Sequence, residues 1–437
     1  MTGNQTLIAR AALGVVTGIV SIAAVSSGRL RALPRQTFDR LMTGTLIVSR
    51  LAMYLGIFFV LRLQPRGDIP GYYWDEANDA LRGHLPYRDF YTSYAPLHPY
   101  LDAFAIHLWF TPLAIILLAI CVEWLLLPIW LRVGRNFLPE QELRTGALLY
   151  LTSAVSLQFV AIDGQDNVII ATLLAFAVLL LYRNRFLASG AAVGMSVATI
   201  KFLPLLYVPA FFLAVPRRWR WIAGIAIPIG VVYGALLAKH APILGALTHE
   251  GGLKTANNLP YLIEAVFGIA PPPRFWDGLV LASVAILFAL IANAVRQISP
   301  VLRLRTLTFG MAALTLALLL FSKKSWPPYL MLALFPICLL VPAQSRLKSA
   351  AFALFGVVAV VGPSYWASVF KQFSAQAFHQ GLLAHQKGCF LFLAVQSLLV
   401  LGYAWLLFEA TRRIIASPNV AAQIEVPAQA AVSVRST

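Results

Sequence analysis

The residues best suited to chemistry lie between two apolar segments, in the stretch 64–110, where acids, aromatics and turn residues alternate. Asp75 and Glu76 follow a Tyr-Tyr-Trp sequence of the kind found at the head-group level of a membrane. A partly desolvated carboxylate there could act as the general base for a hydroxyl nucleophile. The alternative is that Asp75 caps a short helix, predicted over 75–82 and ended by Gly83.

The composition of the chain is that of a membrane protein. Of its 437 residues, 59% are hydrophobic and only 12% are charged, against roughly a quarter in average soluble proteins. This excludes a disordered chain and argues against a soluble enzyme. The three cysteines lie in apolar stretches and give neither a disulfide framework nor a zinc-ligand spacing. We therefore predict an all-α, polytopic transmembrane bundle.

Runs of apolar residues predict about 11–13 membrane segments, since about 20 residues cross a bilayer and shorter runs can be re-entrant or buried. The first run could be a signal peptide, but three arginines at 29, 31 and 35 follow it and oppose export. We expect an extra helix or an anchored segment there. The runs lie near 8–26, 42–63, 111–131, 146–162, 167–182, 186–200, 202–215, 221–239, 277–295, 306–321, 329–342, 350–370 and 388–410.

The charges predict which side of the membrane each connection faces. Lys and Arg outnumber Asp and Glu by 34 to 17, and the positive-inside rule makes the basic loops cytoplasmic. The net charge of +17 therefore indicates topology rather than nucleic-acid binding. The cytoplasmic set is Arg29, Arg31, Arg35, Arg40, Arg132, Arg135, Arg144, Arg183, Arg185, Arg217, Arg218, Arg220, Arg296, Arg303, Arg305, Arg346, Lys348, Arg412 and Arg413.

The opposite, outer face collects most of the acids and all seven histidines, which indicates an active site there. The short segments within 146–215 meet at two polar outward turns, 163–167 and 200–204, which predict a cavity open to the outer leaflet. The acids assigned to this face are Asp68, Asp75, Glu76, Asp79, Asp89, Asp102, Asp163, Asp166, Glu250, Glu264 and Asp277. The histidines are His84, His98, His107, His240, His249, His379 and His385.

Several motifs occur along the chain in one order and on one predicted side. They are Pro86-Tyr87-Arg88-Asp89-Phe90 with Tyr94-Ala95-Pro96, Gly164-Gln165-Asp166-Asn167, Lys201-Phe202-Leu203-Pro204, Asn257-Asn258-Leu259-Pro260, and Phe321-Ser322-Lys323-Lys324-Ser325-Trp326 followed by Pro327, Pro328 and Tyr329. Together they resemble the GT-C membrane glycosyltransferases, in particular glycosyltransferase family 87, over roughly 42–345. The sequence departs from that pattern at Lys323-Lys324, where the family has a Ser-Pro filler, and at Pro327-Pro328, where a histidine-tyrosine pair is commoner.

The resemblance implies an inverting transferase that moves mannose, or another hexose or pentose, from a polyprenyl-phosphate donor to a hydroxyl of a lipid or glycan acceptor. It implies a GT-C fold, and the bilayer and the two substrates are the expected partners. We assign no cofactor and no metal ligands, and the absence of an Asp-x-Asp pair argues against a metal-dependent nucleotide-sugar mechanism. The implied catalytic carboxylates are Asp75, Glu76 and Asp89. The implied donor-phosphate ligands are Arg88, Lys201, Lys323 and Lys324, and the implied substrate-binding residues are Tyr87, His98, Gln165, Asn167 and Asn258.

Several of these residues also have a structural interpretation. Arg88 and Asp89 could pair with each other and fix the loop. Lys201 could extend to the head groups, and Lys323-Lys324 could form an ordinary charged turn. Gln165 and Asn167 could cap helix ends.

The domain organisation follows from the segments. We predict an N-terminal membrane segment with a basic loop over 1–41, a GT-C-like domain over 42–414 with its catalytic loop at 64–110, and a disordered cytoplasmic tail over 415–437. The expected location is a bacterial inner membrane with the site facing the periplasm. The rival function is a multi-pass transporter or flippase, although transporters place their acids near the midplane.

Overall fold

The protein is an all-α bundle. The computed structural model describes residues 3–244, 253–342, 345–365 and 374–433, with side chains for 5–244, 253–342, 345–363 and 374–418. Within these ranges it has nineteen α-helices and no strand, which confirms the predicted fold class. Two residues assigned to the outer face, His249 and Glu250, lie outside the described ranges, as do 366–370 of a predicted segment.

The described helices are numbered in their order along the chain. The first ten are α1 (Gly3–Ser26), α2 (Gly28–Ala32), α3 (Arg35–Leu55), α4 (Trp74–Leu81), α5 (His98–Leu108), α6 (Leu113–Gly134), α7 (Glu140–Leu151), α8 (Ala154–Ser156), α9 (Asn167–Tyr182) and α10 (Phe186–Thr199). The others are α11 (Val208–Ala214), α12 (Arg218–Ala238), α13 (Leu259–Phe267), α14 (Pro273–Arg296), α15 (Pro300–Phe321), α16 (Leu334–Cys338), α17 (Arg346–Tyr365), α18 (Ala375–Leu383) and α19 (Cys389–Ser433).

Eight of the described helices are long and apolar enough to cross a membrane, or nine if the bent pair 140–162 counts as one span. Four shorter apolar helices, 167–182, 186–199, 203–214 and 327–338, complete the bundle. Every apolar run of the sequence corresponds to one of these elements. The protein is therefore a multi-pass membrane protein, in which the short helices pack against longer ones.

The connections gather at two ends of the bundle, as the charge pattern predicted. At one end, which we call the basic end, Arg135 pairs with Asp39 at 2.6 Å and Arg305 pairs with Glu142 at 3.4 Å. At the other, the acidic end, Arg10 pairs with Asp163 at 2.8 Å. Contacts between distant loops thus stay within one predicted side.

The first helix is part of the bundle. Gly14 and Gly18 of α1 allow a close approach to α17, because a Cβ on Gly14 would lie 3.2 Å from the Cα of Val357. The hydroxyl of Ser21 lies 2.7 Å from that of Thr152. These contacts agree with the extra helix expected from the arginines that follow it.

A buried ion pair fixes the bend between α7 and α8. The Nε of Arg50 lies 3.2 Å from Glu123, and both side chains are completely buried. The Nη1 of Arg50 donates to the carbonyl of Leu151 at 2.9 Å, and Tyr150 donates to Glu123 at 2.8 Å. Arg50 therefore satisfies a carbonyl that the helix break leaves without an intrahelical donor.

The last described helix is the longest of the chain's described elements. Helix α19 continues from Cys389 to Ser433 and so includes most of 415–437. Its last part is rich in alanine, the residue with the highest intrinsic helix propensity.

Candidate active site

The outer loop docks onto the break between α10 and the helix that follows it. The backbone N–H of Ala95 donates to the carbonyl of Ile200 at 2.8 Å, and that of Leu97 donates to Ala198 at 3.0 Å. Carbonyls at a helix C-terminus lack intrahelical partners, so the loop supplies the missing donors. This places α4 and α5 of the loop against the two polar turns at the acidic end.

A buried histidine lies at the centre of this contact. His98 begins α5, and its Nε2 lies 3.1 Å from Asp166 and 3.4 Å from Asp102, one helical turn further along. Its Nδ1 lies 3.8 Å from Glu76 of α4. All four side chains are buried. With Lys201 they form what we call the acid–histidine cluster.

Lys201 closes the cluster from the second polar turn. Its Nζ lies 3.6 Å from Asp166, and it lies over the rings of Tyr94 and Tyr329 at 5.0 and 5.3 Å from their centroids. A buried lysine needs such charge and ring partners to offset the loss of hydration. The turns 163–167 and 200–204 are thus joined through one carboxylate.

Burial and the neighbouring charges shift the pKa values of the cluster residues. Burial lowers the pKa of His98, but the carboxylates of Asp102, Asp166 and Glu76 outweigh it and raise that pKa to about 10. Burial raises the pKa of Asp166, yet the charges of Lys201 and His98 bring it below its usual range. For Asp102, burial and the neighbouring carboxylates raise the pKa to about 7 in spite of His98. At neutral pH the cluster therefore contains two cations, an ionised Asp166 and a partly protonated Asp102.

The two adjacent acids of α4 have different environments. Glu76 is 6% exposed and accepts a hydrogen bond from the hydroxyl of Thr92 at 2.8 Å. Asp75 is exposed, because consecutive helical residues point about 100° apart. The capping alternative for Asp75 is not what the structure has, since Tyr73 occupies the N-cap position without a side-chain bond. Glu76 anchors the helix, and Asp75 stays accessible.

The motif at 86–90 forms a self-contained turn. Arg88 and Asp89 make two exposed bonds of 2.9 Å, and the backbone N–H of Leu85 also donates to Asp89. The bonds from Arg88 and Leu85 lower the pKa of Asp89 to about 2, so it is a weak base. Tyr87 has a positive φ of 67° and its buried hydroxyl donates to the carbonyl of Tyr94. This arrangement matches the loop-fixing reading of the motif.

The two adjacent lysines have different surroundings. Lys323 lies 2.8 Å from Asp277 in an ion pair. Lys324 is half-buried, and burial together with the charge of Lys201 lowers its pKa to about 8. Thr255 fixes their loop by accepting from the N–H of Ser325 at 2.9 Å. The charge of Lys201 therefore acts on Lys324, whereas Lys323 has the carboxylate of Asp277 as its partner.

The three predicted amide residues also have different environments. Gln165 donates to Asp68 at 2.9 Å. Asn258 caps α13, where its Oδ1 accepts from the N–H of Tyr261 at 2.8 Å, so its amide has a structural role. Asn167 is completely buried, and neither of its amide atoms has a hydrogen-bond partner among the described residues. A buried amide without partners needs an explanation, and a ligand would supply one.

Two residues of the cluster were not among the candidates. Asp102 follows His98 by four residues, which places both on one helix face, so its spacing was an available signal. Asp166 lies between the candidates Gln165 and Asn167, but the family pattern leaves that position open. Asp102 and Asp166 belong to the site because of their charge contacts, and the motifs do not specify these contacts.

Neither a scan against protein-family models nor a search of curated proteins gave a match. The function must therefore be argued from the side chains themselves. In the part of the chain that the structure describes, no group of three or more His, Cys, Asp or Glu has a metal-binding arrangement. The candidate site instead combines two lysines, a buried histidine among three carboxylates, and the accessible carboxylate of Asp75.

Proposed function

We propose that the protein is a membrane glycosyltransferase that transfers a sugar from a polyprenyl-phosphate donor to a hydroxyl acceptor at the acidic end of the bundle. The observation that carries the proposal is the position of Lys201, 3.6 Å from Asp166 in the acid–histidine cluster, with its charge acting on the half-buried Lys324. A phosphodiester bound near both lysines would relieve their repulsion, and the charge that develops on the leaving phosphate would be stabilised by preorganised cations.

Asp75 is the proposed base. Asp89 is held ionised by Arg88, and Glu76 is buried against Thr92 and His98, so neither is well suited to receive a proton from an incoming hydroxyl. Asp75 is exposed on the same helix, one residue from the buried anchor. Glu76, His98 and Asp102 are then positioning residues for α4.

The proposed reaction has one displacement step. The acceptor oxygen forms a bond to the anomeric carbon while its proton passes to Asp75, and the bond from that carbon to the phosphate oxygen breaks. Polyprenyl phosphate leaves with the bonding electron pair, near Lys201 and Lys324. One base is sufficient, and the anomeric configuration inverts. The bilayer beside the short helices would hold the donor's lipid tail.

The test is transfer of radiolabelled sugar from a panel of polyprenyl-phosphate sugars to membrane lipid extract, with the purified protein in nanodiscs. Asp75→Asn should lower the rate by about 10²–10⁴-fold, the usual contribution of a general base. Asp79→Asn is the matched control, because Asp79 lies one turn further along α4 and pairs with Arg82 and His84. It should keep most of the activity.

The outcomes separate the competing interpretations. Equal loss in both variants would indicate damage to α4 and not the removal of a base. Unchanged activity of Asp75→Asn would contradict its role, and Glu76→Gln would then be the next variant. No transfer from any donor, together with movement of a solute across proteoliposomes, would replace the enzyme by a carrier.

A further inference from the structure

An open cavity of about 460 Å³ lies at the basic end of the bundle. It is lined by the connection between α11 and α12 and by one residue of α15. Four of its lining residues are arginines, and among the described residues that line it there is no Asp or Glu. The lining residues are Val215, Pro216, Arg217, Arg218, Trp219, Arg220 and Arg303.

Other arginines of the basic end are neutralised by carboxylates. Arg135 contacts Asp39 and Glu140, and Glu142 forms ion pairs with both Arg305 and Arg413. The cavity arginines are held in a different way. Arg217 and Arg218 lie over the rings of Phe186 and Phe212, with guanidinium carbons 5.9 and 4.9 Å from the centroids, and Arg303 donates to a backbone carbonyl. These contacts orient the guanidinium groups without cancelling their charge.

The cavity also receives the positive end of a long helix. Helix α12 begins at Arg218, has no acid in its first turn, and its N-cap residue, Arg217, makes no capping hydrogen bond. Cations are unfavourable at a helix N-terminus, whereas anions are stabilised there by the unpaired N–H groups and the dipole. Three exposed cations within the four residues 217–220 around such a terminus therefore call for an anionic partner.

We propose that this cavity binds the phosphate headgroup of an anionic phospholipid. Arginine suits a phosphate because its planar group donates two parallel hydrogen bonds. The location favours a lipid over a free phosphate. Helix α11 ends here, and α12 and α15 begin here, at the expected membrane boundary. Trp219 is 82% exposed beside the arginines, and tryptophan at this level prefers the head-group region. The inference does not depend on the proposed enzymatic activity.

The experiment is native mass spectrometry of the protein released from nanodiscs that contain phosphatidylglycerol and phosphatidylcholine in equal amounts. Wild type should retain phosphatidylglycerol selectively. The triple variant Arg217→Gln/Arg218→Gln/Arg220→Gln should retain about tenfold less, since each arginine near an anionic surface adds to the attraction. The matched control is Arg183→Gln/Arg185→Gln, which removes exposed arginines of the same end that do not line the cavity. It should behave as wild type.

A second variant separates a built site from diffuse charge and from altered topology. Arg217→Lys/Arg218→Lys/Arg220→Lys keeps the positive-inside signal but loses the paired hydrogen bonds, so its retention should also fall. Full retention by the lysine variant, or equal loss in the Arg183/Arg185 control, would overturn the proposal in favour of nonspecific attraction. Thermal stabilisation by inorganic phosphate that matches the effect of the lipid would overturn the choice of a lipid.

Discussion

The imidazole Nε2 of His98 lies 3.1 Å from the Oδ2 of Asp166, and both side chains are buried. His98 belongs to the outer loop, whereas Asp166 belongs to the turn before α9. This single contact therefore joins the loop to the polar turns of the bundle. It also links the charge of Lys201 to α4, which carries Asp75.

Asp166→Asn should destabilise the protein by about 3–5 kcal/mol, because it leaves Lys201 and His98 buried with one counter-charge fewer. Removing the lysine as well, in Asp166→Asn/Lys201→Met, should restore part of the loss. The measurement is thermal or denaturant unfolding in detergent. The matched control is Asp277→Asn, which breaks the more exposed pair with Lys323 and should cost no more than about 1 kcal/mol. Equal costs for the two variants would contradict the role of Asp166.

His98→Gln should change how stability depends on pH. The pKa of His98 is raised to about 10 from 6.5, so the native state binds a proton that the unfolded state releases. The stability from this group is complete below pH 6.5 and is lost as the pH rises through 10. Between those values the wild type should lose about 1.4 kcal/mol per pH unit relative to the variant. Unfolding curves that stay parallel from pH 6 to 9 would contradict the charged state of His98.

Under the proposed function, donor binding should weaken above pH 8. The pKa of Lys324 is lowered to about 8 by burial and by Lys201, so at higher pH the free protein must take up a proton to present a cation. The KM for the donor should then rise about tenfold per pH unit. Lys324→Arg keeps its charge at every pH and should flatten this profile. Lys323→Arg, at the neighbouring residue paired with Asp277, should leave the profile unchanged.

Gly190→Ala should separate α10 from α12. A Cβ at Gly190 would lie 2.0 Å from the carbonyl oxygen of Trp221, which is backbone and cannot rotate away. The expected cost is about 3 kcal/mol or more, measured as a lower unfolding temperature. Gly230→Ala in α12 is the control, because no atom lies within 4 Å of its added Cβ. It should be neutral or stabilise by about 0.5–1 kcal/mol.

The sequence by itself determined the fold class, the membrane segments and the grouping of their connections at two ends. It could do so because burial in a bilayer requires long apolar runs, and because the basic residues mark the loops between them. It also identified the turns that contain Lys201 and Asn167 as polar interruptions. These features depend on local composition, which can be read without knowledge of the neighbours.

Only the tertiary structure decided which side chains meet. Asp75 and Glu76 are adjacent in the chain, yet packing of α4 against the bundle buries one and exposes the other. Asp166 joins His98 and Lys201 across three separate elements. Lys323 pairs with Asp277, whereas the charge of Lys201 acts on Lys324. The physical reason is that desolvation and Coulomb attraction act over a few ångströms in space, and these distances arise only when the helices pack.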